Sequence, residues 1–122
     1  MSQSSRMKYD FGSLNLNRLT IDKQNVSQIT SITTAVTLTA QAGIITTQSA
    51  TTVADSITQF TVNHPDVNVN SVILLTLINY PGAGLPSVHV DEFTTGSFKI
   101  NIQNHHPSAA LNNVLKIAYF IL

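Results

Sequence analysis

The side chains of this chain that could carry chemistry are four histidines and six carboxylates, and we take the histidines first. His105 and His106 are adjacent, and adjacent side chains on a strand project to opposite faces, so such a pair rarely binds one ion. His64 and the adjacent pair stand in loop-like segments beside prolines, and His89 falls on the polar face of an alternating segment. If the protein is a trimer, one histidine of each chain could meet its copies on the axis and bind a metal ion, but the loop-like and polar-face positions of the histidines do not favour it. We therefore predict no metal ion and no other cofactor.

The carboxylates and hydroxyls do not form a catalytic pattern either. Asp91 and Glu92 are neighbours and point apart, which is poor geometry for paired acid–base catalysis. Serine and threonine are abundant, but none stands in a nucleophile-elbow motif. The chain has no cysteine, which excludes disulfides, thiolate catalysis and cysteine-bound zinc. We predict that the protein is not an enzyme.

The low charge of the chain argues against nucleic-acid and membrane partners. Only 10% of its 122 residues are charged and the net charge is +0. A nucleic-acid-binding protein normally has a basic face, and a membrane-surface protein a basic amphipathic helix. The first ten residues lack the apolar segment of a secretory signal, and apolar runs such as residues 72–75 are too short to span a bilayer. A surface of hydroxyls and amides is typical of proteins that assemble rather than rely on charge repulsion.

Short strands and turn residues fill most of the chain. Residues 71–80 and 114–122 carry apolar side chains at both the even and the odd positions of each strand. We therefore expect both faces of these strands to be covered. Residues 97–103 alternate, with Phe98, Ile100 and Ile102 pointing inward, and residues 93–96 form a hairpin turn before them. Residues 26–49 predict a strand ending near residue 39, a turn around residues 42–43 and a second strand to about residue 49. Seven or eight such strands predict an all-β, jelly-roll-like β-sandwich.

The first 29 residues differ from the sandwich domain predicted for residues 30–122. They carry large apolar side chains at loose two- and three-residue spacing, namely Phe11, Leu14, Leu16, Leu19 and Ile21. The intervening asparagines and glycine disfavour a helix. One interpretation is a disordered terminus. The interpretation that we adopt is an extended N-terminal arm that lays these side chains on a neighbouring protein.

Six short segments, in order, carry a resemblance to a known family. They are SITTAVTL (residues 31–38), GIITT (43–47), FTVN (60–63), SVIL (71–74), GSFKI (96–100) and SAALNNVLKI (108–117). These segments resemble the small β-sandwich virion proteins of tailed bacteriophages, which are found on capsids or at the ends of fibres. The resemblance covers residues 30–122. It implies a jelly-roll-like homotrimer that is a structural or attachment component of the particle, and it supplies no ligand residues.

The resemblance and the patterning together predict a capsid decoration (cement) protein on the capsid surface of a virion. Its partners would be two further copies of itself and the major capsid protein of the same virion. The arm would dock on the capsid through Phe11, Leu14, Leu16, Leu19 and Ile21. The subunit interface would contain Tyr80, Val114, Ala118, Phe120 and Leu122. The alternative is a tail-fibre or spike head domain that binds host-surface glycan, and a glycan partner is expected only in that case. A free carbohydrate-binding module of a cell is disfavoured, because the chain has no Trp.

Overall fold

The structure is a computed structural model and describes residues 21–122. Its eight strands are β1 (Lys23–Ser27), β2 (Val36–Thr37), β3 (Ala42–Thr46), β4 (Ile57–Asn63), β5 (Ile73–Asn79), β6 (Pro86–Thr94), β7 (Ser97–Asn104) and β8 (Lys116–Ile121). Sheet A has the order β1-β3-β8-β5, and sheet B has the order β2-β4-β7-β6. The described residues contain no helix, and the two sheets pack face to face, which confirms the predicted all-β sandwich. It follows that residues 21–122 hold no helix that is long and apolar enough to cross a membrane.

Strand β7 lies at the centre of sheet B and alternates as its sequence predicts. Phe98, Ile100 and Ile102 are fully buried, whereas the residues between them are only partly buried. The strand pairs antiparallel with β4 on one side and β6 on the other. The predicted β6–β7 hairpin is confirmed, and it turns at Thr95 and Gly96. Gly96 has a φ of 87°, a conformation that glycine adopts without steric cost.

Strand β8 has the same central position in sheet A. Ile117, Tyr119 and Ile121 point into the core, where they face the inward side chains of sheet B. Burial raises the pKa of the Tyr119 hydroxyl above its ordinary value. The hydroxyl therefore stays protonated and donates to the carbonyl oxygen of Ala40, 3.3 Å away. Burial of one isoleucine or phenylalanine side chain contributes roughly 1.5–3 kcal/mol to the free energy of folding. The inward rows of the two sheets therefore contribute most of the stability of the sandwich.

A buried glutamine organises the loop between β1 and β2. The Gln28 amide nitrogen donates to the carbonyl oxygens of Ile32 and Thr34, at 2.8 and 2.9 Å. Its Oε1 atom accepts from the backbone nitrogen of Gln48, at 2.9 Å. The Gln48 amide in turn donates to the backbone oxygen of Gln28, at 2.7 Å. Because buried backbone groups need partners, this pair of glutamines lets a Thr-rich loop close over the core without regular strand pairing.

The structure corrects the prediction between residues 26 and 49. The chain bends at residues 40–41 rather than around residues 42–43 as predicted, because Ala42 and Gly43 already open strand β3. The strand expected to end near residue 39 contains only the two residues of β2. The preceding residues 28–34 belong to the loop that Gln28 organises. Strand β1 lies within residues 1–29, the range predicted to be the N-terminal arm. It pairs parallel with β3, so residues 23–27 belong to the sandwich rather than to an arm. Strand β2 pairs parallel with β4, so both sheets are mixed. The jelly-roll topology stays a prediction.

Candidate functional site

The outward face of sheet A is apolar, whereas the core of the sandwich lies on its other side. One row across this face runs through Leu74, Phe120 and Ala42, and the next runs through Thr76, Ala118 and Ile44. Exposed apolar residues adjoin these rows at the ends of β5 and β8. We call the whole set the apolar face: Ala42, Ile44, Val72, Leu74, Ile78, Ala118, Phe120 and Leu122. Four of its members expose about half of their surface, namely Val72 at 52%, Leu74 at 55%, Ile78 at 48% and Leu122 at 59%.

The period of two along each strand creates this face. In β8 the residues Ile117, Tyr119 and Ile121 are buried, so the intervening Ala118 and Phe120 must point outward. In β5 the residues at 73, 75 and 77 pack against the core, which turns Leu74 away from it. Both strands were expected to be covered on both sides. Within the described chain, sheet B covers one side only. On the other side Leu74 is exposed, and Ala118 and Phe120 are only partly buried.

Among residues 21–122, no strand pairs with the outer edge of strand β5, which borders this face. It is an outer strand of sheet A, and from Ile73 to Asn79 it contains no charged residue and no proline. Edge strands of monomeric proteins are usually protected by lysine, proline or a covering segment. The one irregularity is a register shift between Leu77 and Asn79, which leaves Ile78 exposed. A long edge strand with apolar outward side chains is typical of a surface that another chain covers.

The residues predicted for the subunit interface divide into two groups. Ala118, Phe120 and Leu122 belong to the apolar face. Tyr80 instead anchors a loop: its hydroxyl donates to the backbone oxygen of Ala83 and accepts from the backbone nitrogen of Asn112. Val114 is partly buried and precedes β8 rather than forming part of it. The prediction did not name Val72, Leu74 and Ile78, although the two-sided apolar pattern of residues 71–80 was the signal for them.

Of the residues predicted for capsid docking, only Ile21 lies in the described range. It lines an open cavity of about 510 Å³ together with His64, Asp66, Ile121 and Leu122. Phe11, Leu14, Leu16 and Leu19 lie outside the described residues.

The outward face of sheet B is mostly polar, in contrast to that of sheet A, and its exposed apolar residue on β4 is Ile57. Its central row joins Gln59 on β4 to Asn101 on β7, with the Gln59 amide donating to Asn101 Oδ1 at 2.7 Å. The Asn101 amide donates to Asp91 Oδ2 on β6, at 3.2 Å. Next to this row, Lys99 and Glu92 form an ion pair of 3.0 Å. We call this surface the polar face. The two outward faces of the sandwich therefore differ in chemistry.

The four histidines take different positions. His64 is buried, and both ring nitrogens have partners: Nε2 lies 2.9 Å from the backbone oxygen of Ala40, and Nδ1 accepts from the backbone nitrogen of Asp66 at 3.1 Å. His106 Nδ1 accepts two backbone N–H groups of its own loop. His89 and His105 are exposed on the side of the polar face. Between residues 21 and 122, no group of three or more His, Asp or Glu side chains is placed to hold a metal ion.

Comparison of the chain with protein-family models, with curated proteins and with solved structures finds no match.

Proposed function

We propose that this protein is a non-enzymatic structural subunit that forms a homotrimer through the apolar face and decorates the capsid of a virion. The observation that carries the proposal is the apolar face itself, above all the exposed Leu74 beside Phe120. A surface that is apolar across neighbouring strands is a feature of interaction sites rather than of monomer surfaces in water.

A second copy of the same chain is the occupant that best fits this face. The rows through Leu74 and Thr76 contain no charged residue until Lys23, at the far edge of the sheet. The face therefore has no charge pattern that would favour a partner of opposite charge over a second copy of the chain. About a three-fold axis, the apolar faces of three copies would turn toward the centre, where each copy covers part of its two neighbours. Burial of about 1,000 Å² of apolar surface per subunit would supply on the order of 25 kcal/mol before the entropic costs of association.

The proposed role in a virion is supported by the sequence. The resemblance of residues 30–122 to phage virion proteins, the low charge and the apolar spacing of residues 11–21 all support it. In this proposal the jelly-roll-like trimer sits on the shell, and the N-terminal arm contacts the major capsid protein. A subunit that binds only the assembled shell stabilises that shell by mass action.

The self-association is tested by matched charge substitutions on the two outward faces. Leu74 and Ile57 are strand residues with the same exposed fraction, 55%, and Ile57 is on the outward side of sheet B. We expect the wild-type chain to sediment at about three times its mass of 13.2 kDa. Leu74→Lys should give a folded monomer, because a lysine ammonium would be desolvated in the interface, whereas Ile57→Lys should leave the trimer intact. A monomeric wild type, or equal behaviour of the two variants, would refute assembly through the apolar face.

The location is tested by counting copies on particles. Quantitative mass spectrometry of phage particles that carry the protein should find many copies per particle, in proportion to the shell. Full-length chains with Leu14 and Leu16 changed to Asp should still form trimers but should fail to co-sediment with emptied capsids. A few copies per particle, with binding to host cells instead, would favour the alternative of a tail-fibre or spike head domain. In that case the amides and carboxylate of the polar face would be the surface offered to a glycan.

A further inference from the structure

Two exposed histidines on the polar-face side of the molecule each place their Nε2 atom next to the same serine oxygen. Ser87 and His89 lie two residues apart on β6, so their side chains share a face. The Ser87 Oγ atom is 3.0 Å from Nε2 of His89 and 2.6 Å from Nε2 of His105. Both imidazole nitrogens therefore converge on a single point.

The strand pairing holds His105 in this position. It directly follows β7, whose last residue, Asn104, is in register with Pro86 at the start of β6. The backbone nitrogen of His105 donates to the backbone oxygen of Leu85 at 2.8 Å, which extends the β6–β7 ladder by one further bond. The ring of His105 is thereby set beside Ser87. Because both residues are held by the backbone pairing of one hairpin, little backbone freedom would be lost when a ligand binds.

We propose that His89 and His105 bind a divalent transition-metal ion such as Zn²⁺ through their Nε2 atoms, with the Ser87 hydroxyl and water completing the coordination. Neutral imidazole is a preferred ligand of Zn²⁺, Cu²⁺ and Ni²⁺, whereas Mg²⁺ and Ca²⁺ prefer carboxylate and carbonyl oxygens. When each ring carries its proton on Nδ1, both Nε2 lone pairs point toward the position that Ser87 Oγ now bridges. Since the chain supplies two nitrogens and one hydroxyl, the site is open to water or to a further ligand.

This site goes beyond the proposed assembly and does not depend on it. His89 projects from the outward side of sheet B, the layer opposite to the apolar face of sheet A. The neighbouring Asp91 carboxylate already accepts from Gln59 and Asn101, so the metal ligands we assign are the two imidazoles and the hydroxyl alone.

Isothermal titration of the untagged full-length chain with ZnCl₂ tests the proposal. We expect one Zn²⁺ per chain, and no heat with MgCl₂ under the same conditions. His89→Ala and His105→Ala should each weaken Zn²⁺ binding at least about tenfold, because each removes one of the two nitrogen ligands. Gln103→Ala is the matched control, since Gln103 lies in register with Ser87 on the same face but supplies no imidazole.

Thermal melting of each variant without metal shows whether it is folded, and Zn²⁺ should raise the melting temperature of the wild type and of Gln103→Ala only. Absence of Zn²⁺ binding by the wild type would overturn the proposal. So would undiminished binding by either folded histidine variant.

Discussion

At the scale of single residues, Asn104 joins three loops of the sandwich. It is fully buried at the end of β7. Its amide nitrogen donates to three backbone oxygens and its Oδ1 atom accepts from two backbone nitrogens, and these partners belong to Thr52, Val53, Ala109, Leu85 and His106. Only a side chain with both a donor and an acceptor end can satisfy this set. Asn104 is therefore a structural residue, whose hydrogen bonds hold the loops at this end of β7 in place.

Asn104→Asp should lower the free energy of unfolding by about 3 kcal/mol, because a carboxylate of the same shape would face three carbonyl oxygens without a hydrogen to donate. Urea denaturation followed by circular dichroism measures the change. Asn70→Asp, the same substitution at an exposed position, is the control and should change stability by less than about 0.5 kcal/mol. Equal losses in the two variants would contradict the role assigned to Asn104.

At the scale of elements, the parallel pair β1–β3 depends on a glycine. Gly43 is in register with Gln24, and a Cβ atom at position 43 would overlap the backbone oxygen of Gln24. The obstacle is backbone, which cannot swing aside as a flexible side chain can. The close approach of the two strands thus explains why a residue type common in turns occurs inside β3.

Gly43→Ala should detach β1 from the edge of sheet A and destabilise the fold by about 3 kcal/mol, because the added methyl group forces the strands apart. Hydrogen exchange of the backbone amides in Lys23–Ser27 should become fast, while β7 stays protected. Gly96→Ala provides the comparison, since a Cβ atom there meets nothing within 4 Å and only its positive φ costs about 1 kcal/mol. Unchanged protection of β1 in Gly43→Ala would show that the strands have room to adjust.

At the scale of the whole molecule, the sandwich has two outward faces of opposite character. Sheet A presents apolar side chains centred on Leu74 and Phe120, and sheet B presents the hydrogen-bonded row of Gln59, Asn101 and Asp91. In the assembly that we propose, the apolar side of the molecule would contact the other subunits and the polar side would remain in solvent. This assembly also agrees with the low charge of the chain, since a subunit that buries its apolar face needs little charge repulsion to remain dispersed.

The proposed trimer should therefore be insensitive to salt. Raising NaCl from about 50 mM to about 500 mM screens interactions between charges but leaves apolar contacts intact, so the sedimenting mass should not fall. Equilibrium sedimentation at several protein concentrations measures this directly. Dissociation at the higher salt concentration would mean that charged residues such as Lys23 and Lys116, at the borders of the apolar face, hold the subunits together instead.

The sequence by itself determined the local features of this protein. Alternation in residues 97–103 established which side of β7 faces the core, and the glycine at position 96 marked the hairpin. The two-sided apolar pattern of residues 114–122 identified both the inward and the outward rows of β8. These features can be predicted from the sequence because side chains alternate between the two faces of a strand with a period of two, and because the residue type determines the conformation of a turn.

Only the tertiary structure decided which strands become neighbours. The parallel pairing of β1 with β3, the covering of one apolar side of β8 by sheet B and the meeting of His89 with His105 all join residues that are distant along the chain or carried on different strands. No local pattern encodes such contacts, because their formation depends on how the whole chain packs and on which backbone groups remain to be paired. The apolar face and the two-histidine site both follow from that packing.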